Sequence, residues 1–139
     1  MAVDAIAIRN AIVASFIEWF ADENRPDVPI IEKTTNWKWE GSPAIHLRLF
    51  GRIPLVQGEF GEQIRIKIFP SIIMDGGIDE DAADDTLFKI EGEILAWFQK
   101  YRVRSGIAKV IEWKKFSQPM QLIKDPQRRV LEIEWLLQP

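Results

Sequence analysis

The sequence predicts an α+β fold in which two helices pack on one face of a mostly antiparallel sheet, in the order α-β-β-β-α-β-β. Two stretches carry apolar residues at spacings of three and four, which is typical of helices with one buried face. Three other stretches alternate apolar and polar residues, which is typical of strands with one buried face. The strands come in runs separated by single helices, and such an order indicates an α+β domain.

Length and composition indicate a single domain over residues 1–139. The chain is 47% apolar and 28% charged, with 18 Lys and Arg against 21 Asp and Glu, so its formal net charge is −3. A chain of this length buries about two-thirds of its unfolded surface, enough for a core. With no Cys and one His, it lacks disulfides, thiolate nucleophiles and Cys- or His-rich metal clusters. No apolar run reaches the roughly 18 residues of a membrane span, and we expect no signal peptide.

The first predicted element is a helix over residues 5–22. The carboxylate of Asp4 is expected to cap its start, and Pro26 disfavours helix in the residue before it. The helix carries a wide apolar stripe, formed by Ile6, Ile12, Val13, Phe16, Ile17, Trp19 and Phe20. We expect this stripe to pack on the core, with room at one edge for contact with a neighbouring subunit.

A β-rich block follows, with an extended stretch over 28–34 and alternating strands over 44–50 and 63–69. In the first alternating strand the polar face includes His46, for which we expect an exposed position. Residues 51–61 between the strands are predicted to form a long hairpin arm or loop. It contains apolar residues that usually need to be covered, namely Ile53, Leu55, Val56 and Phe60.

The second half of the chain is predicted to hold a helix over 79–101 and strands over 107–116 and 128–137. Acidic residues at the start of the helix suit the positive end of its macrodipole. Its buried stripe is expected to consist of Leu87, Ile90, Ile94, Leu95, Trp97 and Phe98. Residues 117–126 contain Pro119 and Pro126, and we expect them to form a turn-rich connector.

The residue pattern predicts no enzyme and no cofactor. No Ser lies in a G-x-S-x-G motif, and no phosphate-binding loop is present. An EF-hand loop starting at Asp75 would need Gly where Glu80 stands and Glu where Thr86 stands. A solvated helix start is therefore the expected role of the acidic residues, and the alternative is divalent-cation binding by Asp79, Asp81 and Asp85.

Charge is segregated along the chain. Residues 75–99 hold eight acidic residues and one basic residue, whereas residues 101–129 hold eight basic and two acidic residues. Two interpretations remain open. The regions neutralise each other within one chain, or the acidic region, including Asp79 and Asp81, faces the basic region of the next subunit, including Lys114 and Lys115, in a head-to-tail ring.

Two of the six Trp residues, Trp37 and Trp39, fall outside every periodic stretch. They lie in a predicted loop or hairpin. The ring systems either fold back onto the sheet, anchor a subunit contact, since Trp is enriched at interface hot spots, or stack on bases or sugars.

With this order of elements, four stretches make the sequence resemble the lambda-type tail terminator family of long-tailed bacteriophages. They are residues 42–47, 63–70, 95–98 and 130–135. The resemblance implies a structural virion protein that forms a hexameric ring at the head-proximal end of the tail. There it would end polymerisation of the tail tube and dock to the head–tail connector.

The resemblance also implies the partners and the location. The partners would be other copies of the chain, in a homo-hexamer, then the tail tube protein, the head–tail connector or stopper protein, and the sheath protein if the tail contracts. DNA would meet the protein only while passing through the lumen, and no membrane is involved. The location would be the tail or neck of the virion, and the host cytoplasm during assembly.

The resemblance supplies no site motif, so interface residues are predicted on physical grounds. Candidate subunit or partner contacts are Trp37, Trp39, Ile53, Leu55, Val56, Phe60, Asp79, Asp81, Lys114 and Lys115. Candidates to face the lumen and contact DNA are Arg48, Arg65 and Lys67. Two alternative functions remain: another neck or tail-completion protein of the same fold, or a non-viral binding module that holds an apolar ligand against Ile64, Ile66 and Ile68.

Overall fold

A computed structural model describes residues 5–32, 41–54, 62–74, 79–101, 109–115, 119–121 and 127–138. Its helices are α1, Ala5–Trp19, and α2, Glu80–Tyr101, and a five-residue π-type turn, Phe20–Asn24, follows α1. Its strands are β1 (Ile30–Ile31), β2 (Ala44–Pro54), β3 (Glu62–Ile73), β4 (Lys109–Lys115), β5 (Met120–Gln121), β6 (Arg128–Val130) and β7 (Ile133–Gln138).

These seven described strands form one sheet, which is antiparallel except for the parallel pair β1 and β2. Strand β3 lies at its centre. It pairs with β2 on one side, and on the other side with β7 along its first half and β6 along its last three residues. Strand β4 extends the sheet beyond β7, and β5 extends it beyond β6. The predicted α+β class with a mostly antiparallel sheet is confirmed.

Both helices pack on the same face of this sheet through a cluster of aromatic rings. The Trp97 ring of α2 stacks on the Trp135 ring of β7 with centroids 5.4 Å apart, and the Phe16 ring of α1 meets both edge-on, at 4.8 and 5.9 Å. The Trp97 indole N–H donates a 2.8 Å hydrogen bond to the Ser15 hydroxyl. Around the rings, the core includes Ile45 and Leu47 of β2 and Ile64, Ile66 and Ile68 of β3. The predicted placement of two helices on one face is confirmed.

Helix α1 is shorter than predicted and less buried. It ends at Trp19, where the Asn24 side-chain amide donates a 2.7 Å hydrogen bond to the Trp19 carbonyl oxygen, and Glu23 takes a left-handed conformation with φ of 67°. Only part of the predicted stripe lies in the core: Ile6 and Ile17 are exposed, which corrects that prediction. The stripe is wider than the contact area that the sheet offers one helix. Asp4, the predicted cap, lies outside the described residues.

The β-rich block differs from prediction at both ends. Within the stretch predicted over 28–34, the described residues 28–32 contain the two-residue strand β1, and residues 33–34 lie outside the described residues. Strand β2 extends four residues into the predicted loop, to Pro54, after a bulge in which Phe50 has no partner in the register and Gly51 has φ of 130°. Such a bulge lets the strand continue past a local kink. Residues 55–61 of the predicted loop lie outside the described residues.

The last predicted strand, over 128–137, is divided into β6 and β7. The break at Leu131 and Glu132 lies beside Pro70 of β3, which has no N–H to donate to a neighbouring strand. Only the Pro70 carbonyl contributes there, as acceptor of a 2.9 Å hydrogen bond from the Leu131 N–H. The connector predicted over 117–126 contains the two-residue strand β5. Helix α2 begins one residue after its predicted start.

Replacing Trp97 with Ala tests whether the ring cluster holds the two layers together. We expect the free energy of unfolding to fall by about 3–5 kcal/mol, because the substitution leaves a large cavity between two helices and the sheet. Gln99→Ala, at an exposed position of the same helix, should change it by less than about 0.5 kcal/mol. Urea unfolding followed by circular dichroism measures both, and equal effects of the two substitutions would contradict this assignment of the core.

Candidate functional site

The face of the sheet that carries no described helix presents a strip of charged side chains around one ring. We call Arg48, Phe50, Arg65, Lys67, Glu132 and Glu134 the sheet strip. The Arg48 guanidinium carbon lies 5.1 Å from the Phe50 ring centroid, and the Lys67 Nζ lies 4.5 Å from it. These distances are within the range of cation–π attraction. Phe50 is nevertheless exposed, and so is Arg48.

Two of the three predicted lumen-facing cations are neutralised inside the chain. Arg65 donates two hydrogen bonds to the Glu134 carboxylate, at 2.6 and 3.1 Å, and this hydrogen bonding and the charge of Glu134 raise the pKa of Arg65. Lys67 lies 2.9 Å from a Glu132 carboxylate oxygen. No carboxylate among the described residues pairs with Arg48. Arg48 is therefore the strip's available positive charge.

The acidic residues at the start of α2 fall into three groups, according to what their carboxylates contact. Asp79 caps the helix, since its Oδ1 accepts a 2.8 Å hydrogen bond from the Ala82 N–H. Arg129, from the basic region, donates two hydrogen bonds to Asp84, at 2.8 and 3.2 Å, and lies 3.2 Å from Glu80. Neutralisation within the chain, one of the two interpretations, therefore applies to Glu80 and Asp84.

Asp81 and Asp85 form the third group of acidic residues, which has no ion-pair partner among the described residues. Both carboxylates are exposed, and neither has a cationic partner in the part of the chain that the structure describes. The predicted basic counterparts, Lys114 and Lys115, lie on β4 opposite Glu134 and Ile133 in the register. Their side chains are outside the described part, so the predicted subunit contact of Asp79 and Asp81 with Lys114 and Lys115 remains a prediction.

The outer surface of α2 also presents large apolar side chains, which the apolar spacing did not predict to be exposed. Leu95 was predicted to lie in the buried stripe, yet it is 42% exposed, and Phe88 is 43% exposed. They lie seven residues apart, so they share one side of the helix. Gly92 lies between them, and a methyl group built on it would meet no atom within 4 Å. The seven-residue spacing of Phe88 and Leu95 in the sequence was the signal that could have placed both on one side of the helix.

His46 is completely buried, which corrects the prediction of an exposed strand position. Its Nε2 lies 3.2 Å from the Ser71 Oγ, and Arg128 donates a 3.2 Å hydrogen bond to the same oxygen. The Ser71 hydroxyl therefore joins the imidazole of His46 to the guanidinium of Arg128. Burial, followed by the charge of Arg128, lowers the pKa of His46 to about 4, so the ring is neutral at pH 7.

The His46–Ser71 pair resembles two members of a hydrolytic triad, but its surroundings favour a structural role. His46, Ser71 and Arg128 are all at most 1% exposed. A nucleophile has to reach substrate, and this hydroxyl is shielded from solvent. The alternating pattern of β2 indicated which face His46 occupies but not what covers that face.

Several predicted interface residues fall where the structure gives no side-chain description. Trp37, Trp39, Leu55, Val56 and Phe60 lie outside the described residues. Ile53 lies on β2 opposite Gln63 in the register, without a described side chain.

Neither metal ligands nor a membrane helix is found in the described residues. No three His, Asp or Glu side chains there are grouped so that they could hold a metal ion. No helix there is both long and apolar enough to cross a bilayer.

No protein-family model matches the chain, and no curated protein sequence matches it. The resemblance to tail terminators therefore remains a prediction.

The buried imidazole predicts a pH dependence of stability. Between pH 6.5, the ordinary pKa of His, and about 4, its pKa in the fold, the unfolded chain binds a proton that the folded chain does not. Stability from His46 is therefore lost as the pH falls through this window, by about 2 kcal/mol between pH 7 and 4.5.

Urea unfolding of the wild-type chain and of His46→Gln at both pH values measures this loss. Carboxylates titrate in both proteins, so their effect cancels in the difference between the two losses. We expect the wild type to lose about 2 kcal/mol more than the variant. Parallel pH dependences would show that the imidazole is not held neutral by the fold.

Proposed function

We propose that this chain is a structural protein that acts by docking to other copies of itself and to other proteins. The observation that carries the proposal is the position of its unpartnered groups. The buried Ser71 hydroxyl is bound within the fold, whereas Phe88 and Leu95 on α2 and Ile6 and Ile17 on α1 are exposed. Large exposed apolar side chains are typical of interaction surfaces when they are grouped with unpaired charges.

The finer role that we propose is that of a tail terminator. The chain would form a ring, hexameric by the resemblance, at the head-proximal end of a phage tail, end tube polymerisation and dock to the head–tail connector. The resemblance of residues 42–47, 63–70, 95–98 and 130–135 supports this role, as does an α+β fold with the expected order of helices. On this proposal the protein resides in the virion, performs no catalysis and needs no cofactor.

The structure disfavours one of the two alternative functions, the binding module, and is compatible with the other. A binding module using Ile64, Ile66 and Ile68 would need access to a face of β3 where these three side chains are completely buried beneath the helices. Another neck or tail-completion protein of the same fold would use the same exposed surfaces, so it remains the second candidate. In either neck role, Arg65 and Lys67 would contribute little to contact with passing DNA, because their charges are paired within the chain.

Light scattering and negative-stain microscopy of the purified chain, alone and mixed with the tail tube protein from the same genome, test the proposed function. We expect closed rings, either in the chain alone or on tube ends, and tubes that stop growing when the chain is added. The tube protein incubated without the chain provides the control. A chain that stays monomeric in both conditions and leaves tube growth unchanged would overturn the proposal. Rings that leave tube growth unchanged would favour the second candidate.

A further inference from the structure

One side of α2 combines exposed acidic residues with exposed apolar residues. We call Asp81, Asp85, Phe88, Gly92 and Leu95 the α2 outer face. Their spacings of four, three, four and three keep all five on one side of the helix. At 1.5 Å per residue the face is about 20 Å long, with its carboxylates near the start of α2 and its apolar side chains near the middle.

Gly92 is the residue on this face that the fold itself does not explain. Glycine in a helix interior costs about 1 kcal/mol relative to alanine. At Gly92 there is open space for a side chain, and its φ is not positive. Neither the packing nor the backbone conformation thus requires glycine. A missing side chain does allow another chain to approach the helix closely between Phe88 and Leu95.

At the exposed end of the sheet strip, a charged residue and an aromatic residue have a spacing similar to that of an acidic and an aromatic residue on the α2 outer face. Arg48 and Phe50 are two residues apart on β2, about 7 Å along the strand. Asp85 and Phe88 are three residues apart on α2, about 5 Å along the helix axis. An Arg48–Asp85 ion pair and a Phe50–Phe88 ring contact can therefore form side by side. Other charges on the strip do not oppose this pairing, because Glu132 and Glu134 are occupied by Lys67 and Arg65.

The two surfaces point in opposite directions. Helix α2 lies on one face of the sheet and its outer face points away from the sheet, whereas Arg48 and Phe50 lie on the sheet's other face. Two copies related by a two-fold axis could not bring both surfaces of both copies into contact. Only a head-to-tail contact uses each surface once per copy, and such contacts build rings or filaments.

We propose that the α2 outer face of one copy docks on the Arg48–Phe50 end of the sheet strip of a second copy. This inference rests on the proposed function, in which copies of the chain assemble. Arg48 pairs with Asp85 and Asp81, and Phe50 packs against Phe88 beside Gly92. Lys89, a further exposed charge on α2, lies about 40° around the helix from Asp85 and therefore at the edge of the contact.

A charge-exchange experiment tests the pairing. One variant carries Asp81→Lys and Asp85→Lys, and the other carries Arg48→Glu. Each alone should self-associate at least about tenfold more weakly, because like charges then face each other. An equimolar mixture should recover association, since the Lys face of one variant meets the Glu strip of the other. Sedimentation velocity with the separate and mixed variants, with and without tube protein, measures this.

Gly92 provides a second test that is independent of charge. Gly92→Ala and Gly92→Gln should both raise the melting temperature, by about 3 °C, because each side chain favours helix and meets no clash within the chain. Gly92→Gln should nevertheless weaken self-association at least about tenfold. The matched control is Ala82→Gln, which adds a similar side chain at an exposed position on another side of α2 and should leave association unchanged.

The outcomes separate this inference from the proposed function. If the wild-type chain forms rings that neither the charge variants nor Gly92→Gln weaken, the docking surfaces are wrong and the proposed function stands. If these variants keep their rings but lose binding to the tube protein, the α2 outer face takes that protein instead of a second copy. If the wild-type chain stays monomeric with and without the tube protein, both proposals fail.

Discussion

The stacking of Trp97 on Trp135, with Phe16 against both rings, is the contact on which the rest of the architecture depends. It joins one residue from each helix to one from the sheet, and it lies where neither layer could bury its apolar face alone. This cluster holds both helices on the same side of the sheet. Among the described residues, the other side carries no helix, and it presents exposed or half-buried charges such as Arg48 and Arg65 beside buried polar residues such as His46 and Ser71.

Periodicity predicted the elements well and their surroundings less well. Apolar spacing and the acidic residues at its start located α2, because both signals are local; in the fold, Asp79 caps that start. The bulge at Phe50 and the break beside Pro70 depend on pairing with distant strands, so neither could be predicted from its own stretch of sequence. His46 was misplaced for a related reason: alternation indicates which face a residue occupies, while the neighbours that cover that face come from elsewhere in the chain.

The same distinction explains the charges. The sequence separates an acidic region from a basic one, but it does not indicate which members meet. In the fold, Arg129 reaches Glu80 and Asp84, whereas the neighbouring Asp81 and Asp85 are exposed and meet no cation in the described part of the chain. Exposed ion pairs contribute little to stability, typically under about 1 kcal/mol. The unpaired charges are therefore better suited to choosing a partner and its orientation than to holding the fold together.

Several features of the chain work against the stability of the isolated subunit, or do nothing for it, and they lie at the two outer surfaces. A glycine in the middle of α2 and Phe88 and Leu95 in water gain nothing from the fold, and Arg48 has no carboxylate partner among the described residues. Natural sequences keep such locally unfavourable choices mainly where function requires them. Assembly through the α2 outer face and the sheet strip would account for all of them together, because each would acquire its partner only when a second copy arrives.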